Sequence, residues 1–371
     1  MSHTARDRSR PVVLYGFSMT AVRETGLWRD LREAPGALRT TLDRAVGFDE
    51  AAAFLTRPEV RRIVLTGNGA AYYAGFAVWL AALAGGPAPE LVAVPSGVLL
   101  AGDFAWRDDD ALLVVSSSGE LRDVIEVLAS SPRPYALISA AADSTLARGA
   151  EAVALQRVES QRAVTHTQAF VGEVAAGLAV WARAAGDAGL RDALASAPDA
   201  LARSVAAAEA WVGPATEPLP RPSAAIALGT GPAWAGAVEA ALLLKEITRI
   251  PAEGAETREG ATSAMFGLTG PEHLAVTLRS GEDVLLDEAE RLCAAAGATV
   301  VRCPVDSGSD ARLAAITSLP AAAALAGQLA LRAGHDVDRP TWTAAYYETA
   351  RVSGTPAVPP RPAPRAAPAG R

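Results

Sequence analysis

The stretch Arg62–Gly75, RIVLTGNGAAYYAG, decides the fold. Its first five residues form an apolar, β-branched run typical of a buried strand, and Gly67-Asn68-Gly69 then leads into an alanine-rich helical run. The same arrangement returns at Ala224–Gly231, AAIALGTG, before a second alanine-rich run. A strand that enters G-x-G and then a helix begins an α/β unit, so the sequence predicts two similar α/β halves.

Strand-like and helix-like runs alternate around these stretches. Apolar runs predict strands at Arg62–Thr66, Leu91–Val94, Ala111–Ser116, Tyr135–Ser139, Ala152–Leu155, Ala224–Leu228, Leu274–Leu278, Thr299–Cys303 and Ala315–Ser318. Longer runs predict helices at Thr20–Leu55, Ala70–Ala84, Glu120–Ser130, Thr165–Ala184, Ala233–Arg249, Asp283–Ala296 and Pro320–Ala333. The alternation predicts the α/β class, with parallel sheets flanked by helices in three αβα layers.

Proline-rich and polar segments divide the chain into units. Gly213–Pro222 carries four prolines and is the predicted linker between the halves. Both ends have compositions that pack no core. The predicted units are a flexible N-terminus (residues 1–19), a helical lead-in (20–55), a first domain (56–190), a helix and linker (191–222), a second domain (223–352) and a disordered tail (353–371).

Composition excludes several classes of protein. The 371 residues are 50% hydrophobic and can bury a sizeable core, while a net charge of −7 argues against a nucleic-acid partner. Cys293 and Cys303 form neither a disulfide framework nor a metal-binding spacing. Apolar runs such as Phe76–Leu83 and Ala321–Ala326 fall short of the ~18–20 residues that span a bilayer. We therefore expect a cytoplasmic protein with no membrane partner.

A run of three serines is the sharpest binding signal. Ser116-Ser117-Ser118-Gly119-Glu120 follows a predicted strand and precedes a helix, so hydroxyl and N–H groups converge at the carboxyl end of that strand. Open parallel sheets bind ligands at this end. A serine-rich helix cap is the alternative, but a cap needs one serine, so we predict an anion or sugar site. The turn at Gly67 and Gly69 lacks the remaining features of a dinucleotide fingerprint.

Two glutamates share a predicted helix. Glu239 and Glu246 are seven residues apart, which places both on one helical face. A carboxylate in apolar surroundings suits general acid or base chemistry. The alternative is a structural role, in which Lys245 and Glu246 lie on a solvated helix end and Glu239 pairs with an arginine. Spacing alone favours this alternative.

His166 stands at a strand-to-helix junction, near the predicted ligand-binding end of the sheet. A histidine at such a junction either forms hydrogen bonds at the start of the helix or takes part in catalysis.

Five motifs in this order resemble the sugar isomerase (SIS) domain family in its double-domain form, as in the isomerase half of glucosamine-6-phosphate synthase, ketosamine deglycases and tagatose-type phosphosugar isomerases. The motifs are Gly67–Gly75 (GNGAAYYAG), Ser116–Asp123 (SSSGELRD), Ala163–Phe170 (AVTHTQAF), Glu239–Glu253 (EAALLLKEITRIPAE) and Asp336–Pro340 (DVDRP).

The resemblance implies two tandem SIS domains in a homodimer that acts on a small sugar or sugar phosphate without metal or organic cofactor. It implies that Glu246 is the base that moves a proton between sugar C1 and C2, with Glu239 in support. The substrate-binding residues that it implies are Gly67, Gly69, Ala71, Ser116, Ser117, Ser118, Glu120, Val164 and Thr165.

The chain also departs from the family pattern. Ala70, Ala71 and Leu121 stand where the family has hydroxyl side chains, so a weaker anion or an unphosphorylated sugar is an alternative ligand. Thr262 and Ala345 align with the family's ring-opening histidine and tail lysine. The candidate replacements are His166, Glu259, Tyr346 and Tyr347. A sugar-binding or regulatory protein without catalysis is the alternative function.

Overall fold

The computed structural model describes residues 20–83, 89–279 and 281–340. The predicted flexible N-terminus, the predicted tail 353–371 and the candidates Ala345, Tyr346 and Tyr347 lie outside these residues. The helices are α1 (Thr20–Arg23), α2 (Gly26–Arg44), α3 (Phe48–Leu55), α4 (Ala70–Ala82), α5 (Ser96–Leu100), α6 (Arg122–Ser130), α7 (Thr145–Gly149), α8 (Thr167–Ala184), α9 (Ala188–Thr216), α10 (Ala233–Leu243), α11 (Thr257–Thr262), α12 (Val284–Ala295) and α13 (Ala314–Arg332). The strands are β1 (Arg62–Thr66), β2 (Glu90–Ala93), β3 (Asp110–Val115), β4 (Tyr135–Ser139), β5 (Ala152–Leu155), β6 (Ala224–Gly229), β7 (Ala252–Glu256), β8 (His273–Arg279) and β9 (Thr299–Pro304).

The first five strands form a parallel sheet in the order β2-β1-β3-β4-β5, with Val64 level with Val92 on one side and Leu112 on the other. Alternate residues of β1 pack on opposite faces of the sheet, against different helices. Ile63 and Leu65 lie in the same core cluster as α4 and α8, whereas Val64 packs in a second cluster with α6. The sheet is therefore covered on both faces, as the apolar strands predict.

The other four strands form a second parallel sheet, β7-β6-β8-β9, which repeats the strand order of the first. Ile226 packs against α12, while Ala227 joins the cluster that contains α10 and α13. That cluster also contains α2, α4, α8 and α9 and reaches β1, so one continuous core serves both sheets. The α/β class with parallel sheets flanked by helices is confirmed.

The lead-in helices pack across this core. Thr25 accepts a hydrogen bond from the Trp28 N–H at 3.2 Å and so caps α2. Leu27, Trp28 and Leu31 are fully buried, and α2 lies against α8 and α9.

Three predictions about elements were wrong. Ala315–Ser318 lies inside α13 rather than in a strand, because the alanine-rich run extends the helix ahead of Pro320. Strand β7 was missed because AEGAE has none of the β-branched residues that mark a strand. The first residues of the predicted linker Gly213–Pro222 continue α9 to Thr216.

One helical segment has the length of a membrane span. Residues Ala311–Arg332 are apolar enough to cross a bilayer, contrary to the prediction that no run reaches this length. The most apolar window of this segment is wholly buried in the structure, which is the position of a core helix.

Candidate functional site

The site begins at the carboxyl ends of β1 and β3, where the order of the first sheet reverses. Helices α4 and α6 leave these neighbouring strands on opposite faces, which opens a crevice between the two connecting loops. Gly67 lies at the base of this crevice, where an added Cβ atom would come within 3.0 Å of the Val115 carbonyl oxygen. This close approach requires glycine in the turn after β1.

Asp123 joins the loops across the crevice. Its Oδ2 atom accepts hydrogen bonds from the Asn68 amide at 2.8 Å and from the Ser96 hydroxyl at 3.0 Å. These residues follow β3, β1 and β2 respectively, so the connections after three adjacent strands meet at one carboxylate.

The serine loop, residues 116–121, is held by its own hydrogen bonds. The Ser116 hydroxyl accepts from the Gly119 N–H at 3.2 Å, and the Ser118 hydroxyl accepts from the Glu120 N–H at 3.2 Å. Gly119 has a φ of +63°, and an added Cβ would lie 1.9 Å from the Ser144 hydroxyl, so only glycine fits there.

The side chains of the serine loop face different surroundings. Ser116 is buried, Ser117 half-buried and Ser118 exposed. The Glu120 carboxylate accepts the Thr145 N–H at 2.8 Å and so holds the start of α7. Of the predicted binding residues in this loop, the serines lie at the crevice and Glu120 is engaged with α7.

Residues 164–166 lead into α8 and form the next part of the site. Asp30, a buried residue of α2, holds the approach to them, because its Oδ2 atom accepts the N–H groups of Arg162 at 2.6 Å and Ala163 at 3.1 Å. Its Oδ1 atom accepts the Ser160 hydroxyl at 2.9 Å.

Asp338, in the late motif Asp336–Pro340, connects residues 164–166 with the start of α2. Its carbonyl oxygen accepts the Val164 N–H at 2.9 Å, and its carboxylate accepts two N–H groups at the start of α2 at 2.6 and 2.9 Å. His166 is half-buried just before α8, and its Nε2 atom contacts the side-chain amide of Gln161.

Three carboxyl groups form a cluster beside these loops, and we call Glu173, Glu239 and Glu246 the carboxyl cluster. Glu173 of α8 and Glu239 of α10 are 3% and 4% exposed, whereas Glu246 is half-buried. The Ser117 N–H donates a hydrogen bond to the Glu173 carboxyl and lowers its pKa. The charge of Glu173 in turn raises the pKa of Glu239. Both Glu239 and Glu246 raise the pKa of Tyr73 on α4, in addition to the effect of burial. The cluster therefore connects the serine loop with α4 and α10.

Burial controls the protonation of this cluster. It raises the pKa of Glu239 well above its ordinary value, and the charges of Glu246 and Glu173 raise it further. Burial raises the pKa of Glu173 to about 8, although the hydrogen bond from the Ser117 N–H lowers it. Burial raises the pKa of Glu246 to about 7, although the charge of Lys245 lowers it. At neutral pH, Glu173 is therefore mainly protonated and Glu246 is divided between both forms, while burial favours the neutral form of Glu239.

Glu246 lies in a π-helical turn. Residues Leu244–Thr248 continue α10 in this form, and the turn ends at Arg249 with a φ of +61°. A π turn inserts one residue into the helix and so rotates Glu246 from the α-helical position relative to Glu239. Glu239 is buried as a result of its place in α10, while Glu246 remains accessible. The sequence predicted that the two carboxyls share one face of a regular helix; the π turn changes that register, and Glu246 still lies close enough to raise the pKa of Glu239.

Glu259 and Thr262 lie at a different edge of the second sheet from Glu246. Helix α11 follows the carboxyl end of β7, whereas the π turn precedes the amino end of that strand. Both side chains are exposed, and the Glu259 Oε1 atom accepts the Ser263 hydroxyl at 3.1 Å. Within one chain, the structure therefore does not bring Glu259 to the carboxyl cluster.

Sequence reasoning missed Glu173 and Asp30. Both are acidic residues on buried helical faces, and every residue of α8 from Thr167 to Ala182 is buried. An acidic residue inside such an apolar run was the available signal, the same signal that drew attention to Glu239.

Among the described residues, no group of three or more His, Cys, Asp or Glu side chains is placed to hold a metal ion. A cavity of about 340 Å³ lies beyond the π turn, next to Thr248 and Arg249, and none of its lining residues is a predicted site residue.

The two parallel sheets and the crevice at the strand-order reversal define an open α/β fold with a ligand-binding crevice at the carboxyl ends of its strands. The chain is 32% identical over 209 residues to the glutamine–fructose-6-phosphate aminotransferase (isomerizing) of Legionella pneumophila, a match over 53% of this chain and 33% of that protein. The chain thus spans about a third of the length of this curated relative. No family model matches the chain.

Solved structures give the same result for the fold. The C-terminal domain of glucosamine-fructose-6-phosphate aminotransferase from Francisella tularensis has a TM-score of 0.70 at 20% identity, over 85% of this chain and 98% of that one. The tagatose-6-phosphate ketose/aldose isomerase of Escherichia coli has a TM-score of 0.66 at 20% identity, over 87% and 96%. At these identities the likeness shows the fold, and together with the curated match it supports the resemblance to the SIS family.

Proposed function

We propose that this chain is a double-SIS protein that isomerises an aldose and a ketose, or deglycates a ketosamine, on a sugar or sugar phosphate. The reaction passes through an enediol or enediolamine, with Glu246 as the base. One observation carries the proposal: an accessible carboxyl group with a pKa of about 7 lies in the carboxyl cluster that borders the serine loop. The SIS-like fold and the match to an isomerising aminotransferase support the reaction class.

The pKa values of the carboxyl cluster suit this chemistry. A base that takes a proton from one carbon and returns it to the neighbouring carbon works best when its pKa is near the ambient pH. Glu246 meets this condition, and burial favours the neutral form of Glu239 beside it, which limits the negative charge that would oppose ionisation of Glu246. Glu239 is thus a supporting residue. His166 is the candidate acid for ring opening.

The contacts of the two loops support a binding role for their residues. The turn at Gly67, Gly69 and Ala71 and the serine loop hold one end of the sugar at the crevice, and Val164 and Thr165 border its other end. We include in the proposal a cytoplasmic homodimer that needs neither metal nor organic cofactor.

A sugar-binding or regulatory protein without catalysis is the second candidate. It is favoured by Thr262, which has no acid function at the position that matches the family's ring-opening histidine and is exposed at a different edge from Glu246.

Proton exchange separates the two functions. The full chain is first screened by thermal shift against aldoses, ketoses, ketosamines and their phosphates, and the ligands that raise the melting temperature are then incubated with it in heavy water. The proposal predicts that a ligand loses its C1 or C2 proton signal in the NMR spectrum. Ligands that stabilise the protein but keep both protons would overturn catalysis in favour of binding alone.

A further inference from the structure

The cavity of about 340 Å³ beyond the π turn lies where three segments of the chain meet. The first segment precedes β6 (residues 221–223), the second leads from the π turn into β7 (residues 248–251), and the third is the end of α13 with the residues after it (329–335). Small-molecule sites in proteins have volumes of roughly 300–1,000 Å³. The cavity is therefore large enough for a small organic ligand.

This cavity has a positively charged lining, and we call it the arginine cavity. Arg221, Arg249 and Arg332 each come from a different one of the three segments, and none of the described lining residues is an aspartate or a glutamate. Such a lining stands out in a chain with a net charge of −7. Neither Arg221 nor Arg332 forms an ion pair with a carboxylate that the structure describes. An anion in the cavity would therefore meet positive charge that no described carboxylate neutralises.

Backbone carbonyl groups hold the side chain of Arg332 in place. Its two terminal nitrogens donate hydrogen bonds to the carbonyl oxygens of Thr216, at the end of α9, and of Leu219, the latter at 2.7 Å. A guanidinium group has five N–H donors, so these two bonds leave others for a ligand. Because its partners are neutral, Arg332 is fixed in position and keeps its full charge.

The remaining lining is mainly apolar. Ile250 and Leu329 are buried core residues, and Pro222, Pro251 and Ala333 extend the apolar surface. An inorganic anion would leave this surface unused, whereas an organic molecule with one anionic group would contact both the apolar residues and the arginines. The lining therefore favours a ligand with a charged end and an uncharged body.

We propose that the arginine cavity is a second ligand site, which binds a phosphate monoester with an uncharged organic body. The phosphate dianion pairs with Arg221 and Arg332, because guanidinium groups donate paired hydrogen bonds to phosphate oxygens. Two guanidinium groups from separate segments suit a dianion with three terminal oxygens better than a carboxylate with one charge and two oxygens.

This site goes beyond the proposed function. None of its lining residues belongs to the serine loop or to the carboxyl cluster, so its ligand binds in addition to the substrate. The cavity reaches Thr248, which ends the π turn that contains Glu246. The second ligand therefore contacts the same turn as the proposed base.

NMR titration followed at His335, which lines the cavity, tests the site. Imidazole C–H signals of the full chain are recorded at about 0.15 M salt, and His335→Gln identifies the signal of this residue. Glucose 6-phosphate and AMP are the monoesters, while inorganic phosphate and gluconate supply the phosphate group alone and a carboxylate. We expect a monoester to shift the signal with a Kd of about 1 mM or below, and phosphate and gluconate to bind about tenfold more weakly.

Two results of this titration overturn the proposal. One is a His335 signal that neither monoester shifts at concentrations up to about 10 mM. The other is binding of inorganic phosphate or gluconate as tight as that of the monoesters. Tighter binding of glucose 6-phosphate identifies a sugar phosphate as the ligand and tighter binding of AMP identifies a nucleotide, and either order supports the proposal.

A pair of arginine variants places the ligand in the cavity. Arg221→Gln removes one positive charge and no hydrogen bond or ion pair to a described residue, so it should fold as the wild type does and weaken the monoester about tenfold. Arg61→Gln, at an exposed position before β1 and outside the cavity, is the matched control and should change the affinity less than about twofold. Equal affinities of Arg221→Gln and the wild type contradict the proposal.

A variant of the serine loop separates this site from the proposed function. Ser118→Ala changes the crevice and should leave the affinity measured at His335 unchanged, whereas a tenfold loss would place the ligand at the crevice and overturn the second site. Exchange of C1 or C2 protons by a protein whose His335 signal responds to no monoester removes the second site and leaves the isomerase function standing. A shifted His335 signal without exchange keeps the second site and removes the isomerase function.

Discussion

Glu173→Gln is expected to stabilise the protein at neutral pH. The Glu173 carboxyl is 3% exposed, its Oε1 atom has no hydrogen-bond partner among the described residues, and burial raises its pKa to about 8. The folded protein therefore holds a proton at pH 7 that the unfolded chain, with an ordinary pKa of 4.5, has released. This difference in proton binding lowers the free energy of unfolding as the pH rises from 4.5 to about 8.

The size of the effect follows from these two pKa values. Between pH 4.5 and the working pH, each pH unit lowers the free energy of unfolding of the wild type by about 1.4 kcal/mol. The total loss is about 3 kcal/mol at pH 7 and about 1 kcal/mol at pH 5. Glutamine has nearly the same shape and stays neutral at every pH. The variant should therefore gain these amounts of stability relative to the wild type.

Urea unfolding at pH 5, 7 and 8.5 measures this gain. Glu50→Gln, a change of the same kind at an exposed position of α3, is the matched control and should show no gain at any pH. A Glu173→Gln variant whose gain is the same at pH 5 and pH 8.5, or whose stability falls at pH 8.5, would refute the reasoning about the protonated buried carboxyl.

The remaining predictions concern Glu246, Asp110 and Asp30. Because the pKa of Glu246 is about 7, the rate of proton exchange should rise through pH 7 and be about tenfold below its plateau at pH 6; a midpoint near 4.5 would contradict this. Asp110→Asn should cost about 3 kcal/mol of unfolding free energy at pH 7, since the buried Arg62 bonds both Asp110 oxygens at 2.7 Å. Although burial raises the pKa of Asp110, bonds from Arg62 hold it below its usual value, so this cost should disappear as acid protonates the wild-type carboxylate; a loss that persists at low pH argues against it. Asp30→Ala should lower the melting temperature and raise KM, because the N–H groups of Arg162 and the buried Ala163 lose their acceptor just before residues 164–166. An unchanged KM would count against this role.

The sequence was sufficient for the alternation of strands and helices but not for every element. Apolar strands such as β1 and β4 were predicted with the bounds that the structure has, because burial on both faces demands continuous apolar residues. Strand β7 is an edge strand of alanine, glycine and glutamate, and pairing with β6 rather than its own composition makes it a strand.

The candidate site was predictable only where chemistry shows in local sequence. The serine loop was predictable because three hydroxyl-bearing residues directly follow a predicted strand. Glu173 was missed because its role depends on contact with Ser117, which is distant in sequence. The π turn at Glu246 was not predictable either, since the run Ala233–Arg249 reads as one regular helix.

The most direct test of the central claim is the exchange of substrate protons with solvent in Glu246→Gln. Wild type, this variant and the exposed control Glu59→Gln are incubated in heavy water with a ligand that the wild type exchanges, and the C1 and C2 proton signals are followed by NMR. Loss of the base should slow exchange by about 1,000-fold in Glu246→Gln and leave Glu59→Gln at the wild-type rate. Exchange in Glu246→Gln within about threefold of the wild-type rate would contradict the assignment of Glu246 as the base.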